Sequence, residues 1–220
     1  MKDYKALLEA AKMFKGDPLA YDESYFIARG NLDWQDLGNA SIAEIRDVVL
    51  WFLNKWKCRI PVTDTVAIRI KEAFKICVPF LHALRGERLQ DIDFMSIKLI
   101  GENKMSNRQI IRFAFANFSS IGLRFSNVAA SKTLHMINPE LFMIWDNAIG
   151  DYYGLKLDPF SYAYRFMPLM KEKANLAISS MMKDLGCSRY AAVREISSRC
   201  DDKTLAKLVD EYNWVKAHEE

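Results

Sequence analysis

Apolar positions recur every three or four residues along most of this chain, the period of a helix with one buried face. Asp3 to Phe14 places Leu7, Leu8, Ala11 and Phe14 on one side, and Gly16-Asp17-Pro18 is expected to stop that helix. Tyr21 to Ala28 reads as a short aromatic helix closed by Gly30-Asn31. Ser41 and Glu44 have capping-box spacing ahead of Ile45, Val48, Val49, Phe52 and Trp56, so a helix is expected to run to near Cys58. Thr63 to Leu84 carries Val66, Ile70, Phe74, Cys77, Val78 and Leu81 on its apolar side, and Pro79 predicts a kink or a boundary within it. A further short helix is expected over Leu89 to Leu99. Ser106 and Gln109 repeat the capping-box spacing before Ile110, Ile111, Phe113, Ala114 and Phe118.

Beyond residue 120, a loop from Gly122 to Asn127 leads into a helix over Val128 to Ile137 that Asn138-Pro139 breaks. A short apolar run, Leu141 to Trp145, delivers Asp146 to the start of another helical stretch. Pro159 sits early in a long apolar and aromatic helix, where its missing N–H is tolerated, and Pro168 is expected to bend or split that helix. Tyr190 to Arg199 and Thr204 to Lys216 complete the set. Strand signals are scarce, and the expected fold class is all-α, with roughly ten helices around one core. The proline-marked junctions near 60 and 159 are where a division into two lobes with a cleft would fall: 60–158 as a central lobe, 1–59 with 159–220 as the second.

Composition narrows the class. Half of the 220 residues are hydrophobic, enough for a sizeable core. No apolar run approaches the roughly 18–20 residues that cross a bilayer. The opening MKDYKALLEAAKMFKG lacks the continuous apolar stretch of a secretory leader, so a cytoplasmic protein without membrane association is expected. A net charge of +3 permits nucleic-acid binding without requiring it. The four cysteines (Cys58, Cys77, Cys187, Cys200) and three histidines (His82, His135, His218) are too scattered for a disulfide frame or a zinc site, and neither a metal nor a cofactor is expected. No Gly-rich phosphate loop, no G-x-S-x-G elbow and no H-E-x-x-H occurs.

The stretch Ile121 to Tyr153, IGLRFSNVAASKTLHMINPELFMIWDNAIGDYY, is the exception. Asp146 stands where a helix begins, either as an N-cap or as a carboxylate at the mouth of a cleft. Lys132 lies on the helix before it, with His135 on the same face. Phe142 to Ile149 resembles the segment of the helix-hairpin-helix DNA glycosylase superfamily that carries the catalytic aspartate. Leu123 to Asn127 and the following VAASKTLHMI are similar in outline to that family's hairpin and lysine-bearing helix. The resemblance implies a two-lobe all-α fold and a DNA repair glycosylase acting on double-stranded DNA, with AP-lyase activity if Lys132 is a Schiff-base nucleophile beside Asp146. It implies that Arg124, Ser126 and Asn127 face DNA phosphates, and that an extruded base enters a pocket of aromatic and apolar side chains. Phe118, Trp145 and His135 are the pocket side chains expected, with Trp56 among the further aromatic candidates.

The sequence departs from the family in three respects, one being that no iron–sulfur cysteine cluster follows, as in many members of the superfamily. The hairpin lacks the glycines that let backbone N–H groups approach a phosphate. Lys132 also lies only fourteen positions before Asp146, about one helical turn short. Either the connecting loop is shortened here, or Lys132 is not the equivalent nucleophile. The alternative function is a non-catalytic helical module that binds nucleic acid or a protein partner on a glycosylase-like scaffold.

Overall fold

The computed structural model describes residues 3–15 and 21–218, and the expected Gly16-Asp17-Pro18 helix stop lies outside them. The described residues are mostly helical, with one two-stranded hairpin. Helix α1 (Tyr4–Lys15) buries the stripe Tyr4, Leu7, Ala10, Ala11 and Phe14. After α2 (Tyr21–Gly30), the Ser41/Glu44 capping box opens α3 (Ile42–Glu44), which passes through a π-helical turn (Ile45–Leu50) into α4 (Trp51–Lys55). Helix α5 (Asp64–Ala83) starts on the Thr63 cap and continues through Pro79, so that proline is no boundary.

The helix expected over Leu89 to Leu99 does not form. The chain turns there and then pairs β1 (Ile97–Ile100) with β2 (Asn103–Ser106). Two local features override the helical spacing of Leu89, Ile92 and Leu99. Asp93 Oδ1 accepts the Met95 N–H in an Asx turn, which diverts the backbone from helix. Gly101, at φ +59°, is the first central residue of the two-residue hairpin turn, a position that calls for glycine.

Helices α6 (Asn107–Ser119) and α7 (Asn127–Ile137) form a helix–turn–helix unit, followed by α8 (Asn147–Tyr152). Asp158 caps the short α9 (Pro159–Ser161), and a second π-helical turn (Tyr162–Phe166) precedes α10 (Met167–Leu185). Pro168 falls in the first turn of α10, so the expected split is the change from π to α winding just before it. Helices α11 (Arg189–Ser198) and α12 (Leu205–His218) end the described chain.

Helix α12 is the centre of the molecule. Every residue from Leu205 to Asn213 is buried, and the helix packs against α1, α8, α10 and α11. The hydrophobic core is continuous and includes Phe14, Phe52, Phe115, Trp145 and Phe166, each burial contributing about 1.5–3 kcal/mol. Among the described residues no helix is long and apolar enough to cross a membrane.

Candidate active site

The run Leu141 to Trp145 is almost wholly buried and belongs to no helix or sheet, so its backbone polar groups need other partners. Three side chains supply them. His135 Nδ1 donates to the Phe142 carbonyl at 2.6 Å. The Tyr162 hydroxyl accepts the Met143 N–H at 3.0 Å and donates to the Met143 carbonyl at 2.6 Å. Ser131 Oγ, on α7, accepts the Trp145 N–H at 3.0 Å and lies 3.0 Å from the Trp145 carbonyl. This ladder of side-chain bonds fixes the run, and the run fixes Asp146 at its end.

Asp146 is the N-cap of α8. One oxygen accepts the Ile149 N–H at 2.9 Å, and the half-buried carboxylate borders a cavity of about 330 Å³. Lys132 borders the same cavity from α7. Lys132 is 6% exposed; its ammonium donates to the Trp56 carbonyl at 2.7 Å and lies 5.4 Å from the Trp56 ring centroid. Its hydrogen bond is thus to the backbone of α4's C-terminal flank and not to Asp146. Cys58 sits beside this pair; burial pushes its thiol up, against the opposing pull of the Lys132 ammonium.

The cavity lies between segments far apart in sequence. Phe14, Tyr21, Trp56 and Trp214 form an aromatic wall from the two ends of the chain, and Val128 with Ile144 faces it from the middle. Within that wall the Tyr21 and Trp56 rings are 5.3 Å apart, and Phe14 meets Trp214 edge-on at 5.3 Å. The cavity is therefore lined by residues from 14–57, 128–149 and 210–218.

Of the three side chains expected on the pocket wall, none is there. Phe118 is completely buried in α6. Trp145 points into the core, stacked on Phe166 at 4.8 Å and on Tyr162 at 5.7 Å. His135 is buried and spends Nδ1 on the Phe142 carbonyl, which makes it a positioning residue for the run before Asp146. Trp56 is the one expected aromatic that the cavity uses.

The expected phosphate contacts also divide. Arg124 is exposed on the turn between α6 and α7. Ser126 is the exposed N-cap of α7, its Oγ accepting from the Ala129 N–H at 3.3 Å. Asn127 donates through Nδ2 to the Leu157 carbonyl at 2.7 Å, so one of its two amide N–H groups is spent inside the protein. The glycines missing from this turn are not compensated by another turn shape. Leu123 (φ +53°) and Arg124 (φ +67°) themselves adopt the left-handed conformation, closed by the Phe125 N–H donating to the Gly122 carbonyl at 2.9 Å.

A residue that sequence reasoning missed completes the cavity. Asp210, on α12, borders it at 2% exposure, with Oδ1 in no hydrogen bond. It belongs to a buried charged cluster. Lys207 pairs with Glu211 at 2.8 Å and approaches Asp210 only to 3.8 Å; Lys203 pairs with Glu211 at 2.9 Å and with Asp22 at 2.7 Å. Lys207 also rests 4.2 Å from the Phe14 ring centroid. Burial pushes the Asp210 carboxyl up to about 7; Glu211 and Asp146 add to the rise, while Lys207 and Lys132 oppose it. Lys207, Asp210 and Glu211 have the spacing of an ordinary solvated helix pair, and nothing in that spacing signals burial. No protein-family model, curated protein or solved structure matches the chain.

Proposed function

We propose that this protein is a DNA N-glycosylase that removes a base extruded from the duplex. One observation carries the reading: Lys132 and Asp146, an amine and a carboxylate of the types such chemistry uses, border a single aromatic-walled cavity. At about 330 Å³ the cavity lies at the lower end of the range of roughly 300–1,000 Å³ for small-ligand sites. Its walls offer π-faces on which a flipped base stacks. Asp146, positioned by the side-chain ladder and the start of α8, stabilises positive charge at the sugar C1′ as the base departs. Water or the Lys132 amine then adds at C1′; as a nucleophile Lys132 must first release the Trp56 carbonyl. The helix–turn–helix unit of α6 and α7 presents Arg124 to the phosphate backbone.

A second reading is a non-catalytic module on the same scaffold. It is favoured by the Asn127 amide, which is already held by the Leu157 carbonyl. The deciding experiment uses duplex oligonucleotides carrying an abasic site or oxidised and alkylated bases. Alkali-labile strand breaks that vanish in Asp146→Asn establish the glycosylase. A borohydride-trapped adduct that vanishes in Lys132→Gln adds the lyase step. Neither signal over a broad panel leaves the binding module.

A further inference from the structure

The buried cluster on α12 has two cations, Lys203 and Lys207, and three carboxyl groups, Asp22, Asp210 and Glu211. Both lysines are engaged at 2.9 Å or less by Glu211, or by Asp22 as well, which leaves Asp210 with only a 3.8 Å approach to Lys207 and one oxygen without a partner. Its surroundings do not rescue an ionised form. From its own helix it meets Lys207 and Glu211; from α8, the Asp146 carboxylate; from α7, the Lys132 ammonium. Tyr25 of α2 and Tyr162 of the second π-helical turn lie within its field, and both phenols are themselves held neutral by burial. One proton on Asp210 balances the cluster. It is also the member of the five that borders the cavity.

We infer that Asp210 is the proton donor of the cavity, a neutral carboxylic acid whose O–H protonates the departing base. This inference rests on the glycosylase reading and deepens it. The two carboxyl groups then divide the work as an acid and a charged carboxylate do at other glycosidic centres. The C1′–N bond breaks and its electron pair stays on the base nitrogen. The Asp210 proton passes to the base, while the Asp146 side chain faces C1′. A water molecule adds at C1′ and releases its proton to solvent. Asp210 recovers a proton from solvent through the cavity once the base has left.

The test combines a measurement on the free protein with one on the reaction. The side-chain carboxyl of Asp210 is followed by carbon NMR against pH in the full chain, assigned by its loss in Asp210→Asn. Single-turnover excision is measured against pH on whichever modified duplex the wild type cleaves. The expected carboxyl midpoint is near 7, with wild-type excision falling above it. Asp210→Asn, matched in shape and checked by its melting temperature, should excise about a hundredfold more slowly at pH 6 and lose that pH dependence. A carboxyl titrating in the ordinary aspartate range, or an Asp210→Asn protein with the wild-type pH profile, overturns the role and leaves the glycosylase reading intact. If Asp210→Asn does not fold, the signal is assigned in aspartate-labelled protein by its loss in Asp210→Glu, and a wild-type excision profile without a limb at that midpoint overturns the role equally. If the wild type excises nothing, the glycosylase reading fails and this role fails with it, whatever midpoint the carboxyl shows.

Discussion

Two lysine–carboxylate sets meet at one cavity, the first through both its members and the second through Asp210 alone, and they are built in opposite ways. Lys132 and Asp146 lie in a segment whose backbone supplies their partners: a carbonyl for the amine and a helix-start N–H for the carboxylate. Lys207 and Asp210 lie on a helix whose own N–H and C=O groups are consumed internally, so their partners must be other charges. The first arrangement leaves each group a satisfied bond and access to the cavity. The second makes a closed electrostatic cluster in which removing any one charge strands another. A backbone-supported charge is therefore cheap to alter and informative about chemistry, whereas a charge-supported one is expensive to alter and informative about stability first.

The largest expected effect breaks the closed cluster. Lys207→Met keeps the volume and the aromatic contact with Phe14 but leaves Glu211 sharing Lys203 with Asp22. Stability measured by denaturant unfolding should fall by about 3–5 kcal/mol. Adding Glu211→Gln should recover part of that loss, because the remaining Lys203 then faces one carboxylate, Asp22, beside a neutral Asp210. A Lys207→Met protein within about 1 kcal/mol of the wild type would show that the cluster is not charge-supported.

Asp146→Asn tests the other side of the contrast. Asparagine caps a helix about as well as aspartate, so stability should change by no more than a few tenths of a kcal/mol. If the protein is the glycosylase proposed, excision should drop about a hundredfold or more, since the carboxylate that stabilises C1′ is lost while the geometry stays. A large stability loss with unchanged excision would reverse the two roles.

How much of this was legible follows from the same contrast. The α7–α8 segment announces itself because its parts are local. Ser126 and Asp146 are capping residues at helix starts, Asn138-Pro139 is a break, and the apolar run between them is too short for a helix. The capping boxes at Ser41/Glu44 and Ser106/Gln109 were equally local and equally readable. The β-hairpin was hidden by Leu89, Ile92 and Leu99 falling at helical spacing, although Gly101 was a sign of the turn. Trp145 and His135 were misplaced because sequence gives the face of a helix or strand, and neither the run's orientation nor Tyr162 as its partner has a local signature. Asp210 was invisible for a stronger reason. Burial of α12 on nearly all sides is a property of four other helices, and its charged residues read as solvent-facing.

His135 sharpens the comparison, because it is a buried basic group that stays neutral on the helix that carries Lys132. Burial holds it down to about 3 from an ordinary value of 6.5, with the hydrogen bond to Phe142 only partly offsetting the loss of solvent. A base depressed in the folded state stabilises the protein above the unfolded value, and that contribution is lost as pH falls through the folded one. Stability should therefore fall between pH 6.5 and about 3, and His135→Asn, which keeps a donor for the Phe142 carbonyl, should reduce that fall by roughly 2–4 kcal/mol. Asp210 acts with the opposite sign over an overlapping window. Its raised value, from 3.8 to about 7, makes stability decline as pH rises between those limits. Unfolding free energies of the two single variants and their double, measured from pH 3 to 8, separate the two slopes. Parallel wild-type and His135→Asn curves would show that His135 does not charge on unfolding in this range.

The smallest expected effect lies at the surface, where the turn before α7 meets solvent. Arg124 is exposed and Asn127 is spent on the Leu157 carbonyl, although both were expected to face phosphate. If Arg124 neutralises one phosphate, Arg124→Ala should weaken duplex binding uniformly across sequences, by less than about tenfold at physiological salt, and lower the slope of log affinity against log salt by about one. Asn127→Ala should leave that slope unchanged and cost about 1 kcal/mol of stability, since its loss leaves a carbonyl without its donor. The reverse outcome, a lower slope for Asn127→Ala and none for Arg124→Ala, would mean that the turn reshapes on DNA and releases the amide from Leu157. The left-handed backbone at Leu123 and Arg124 would then be the shape of the free protein alone.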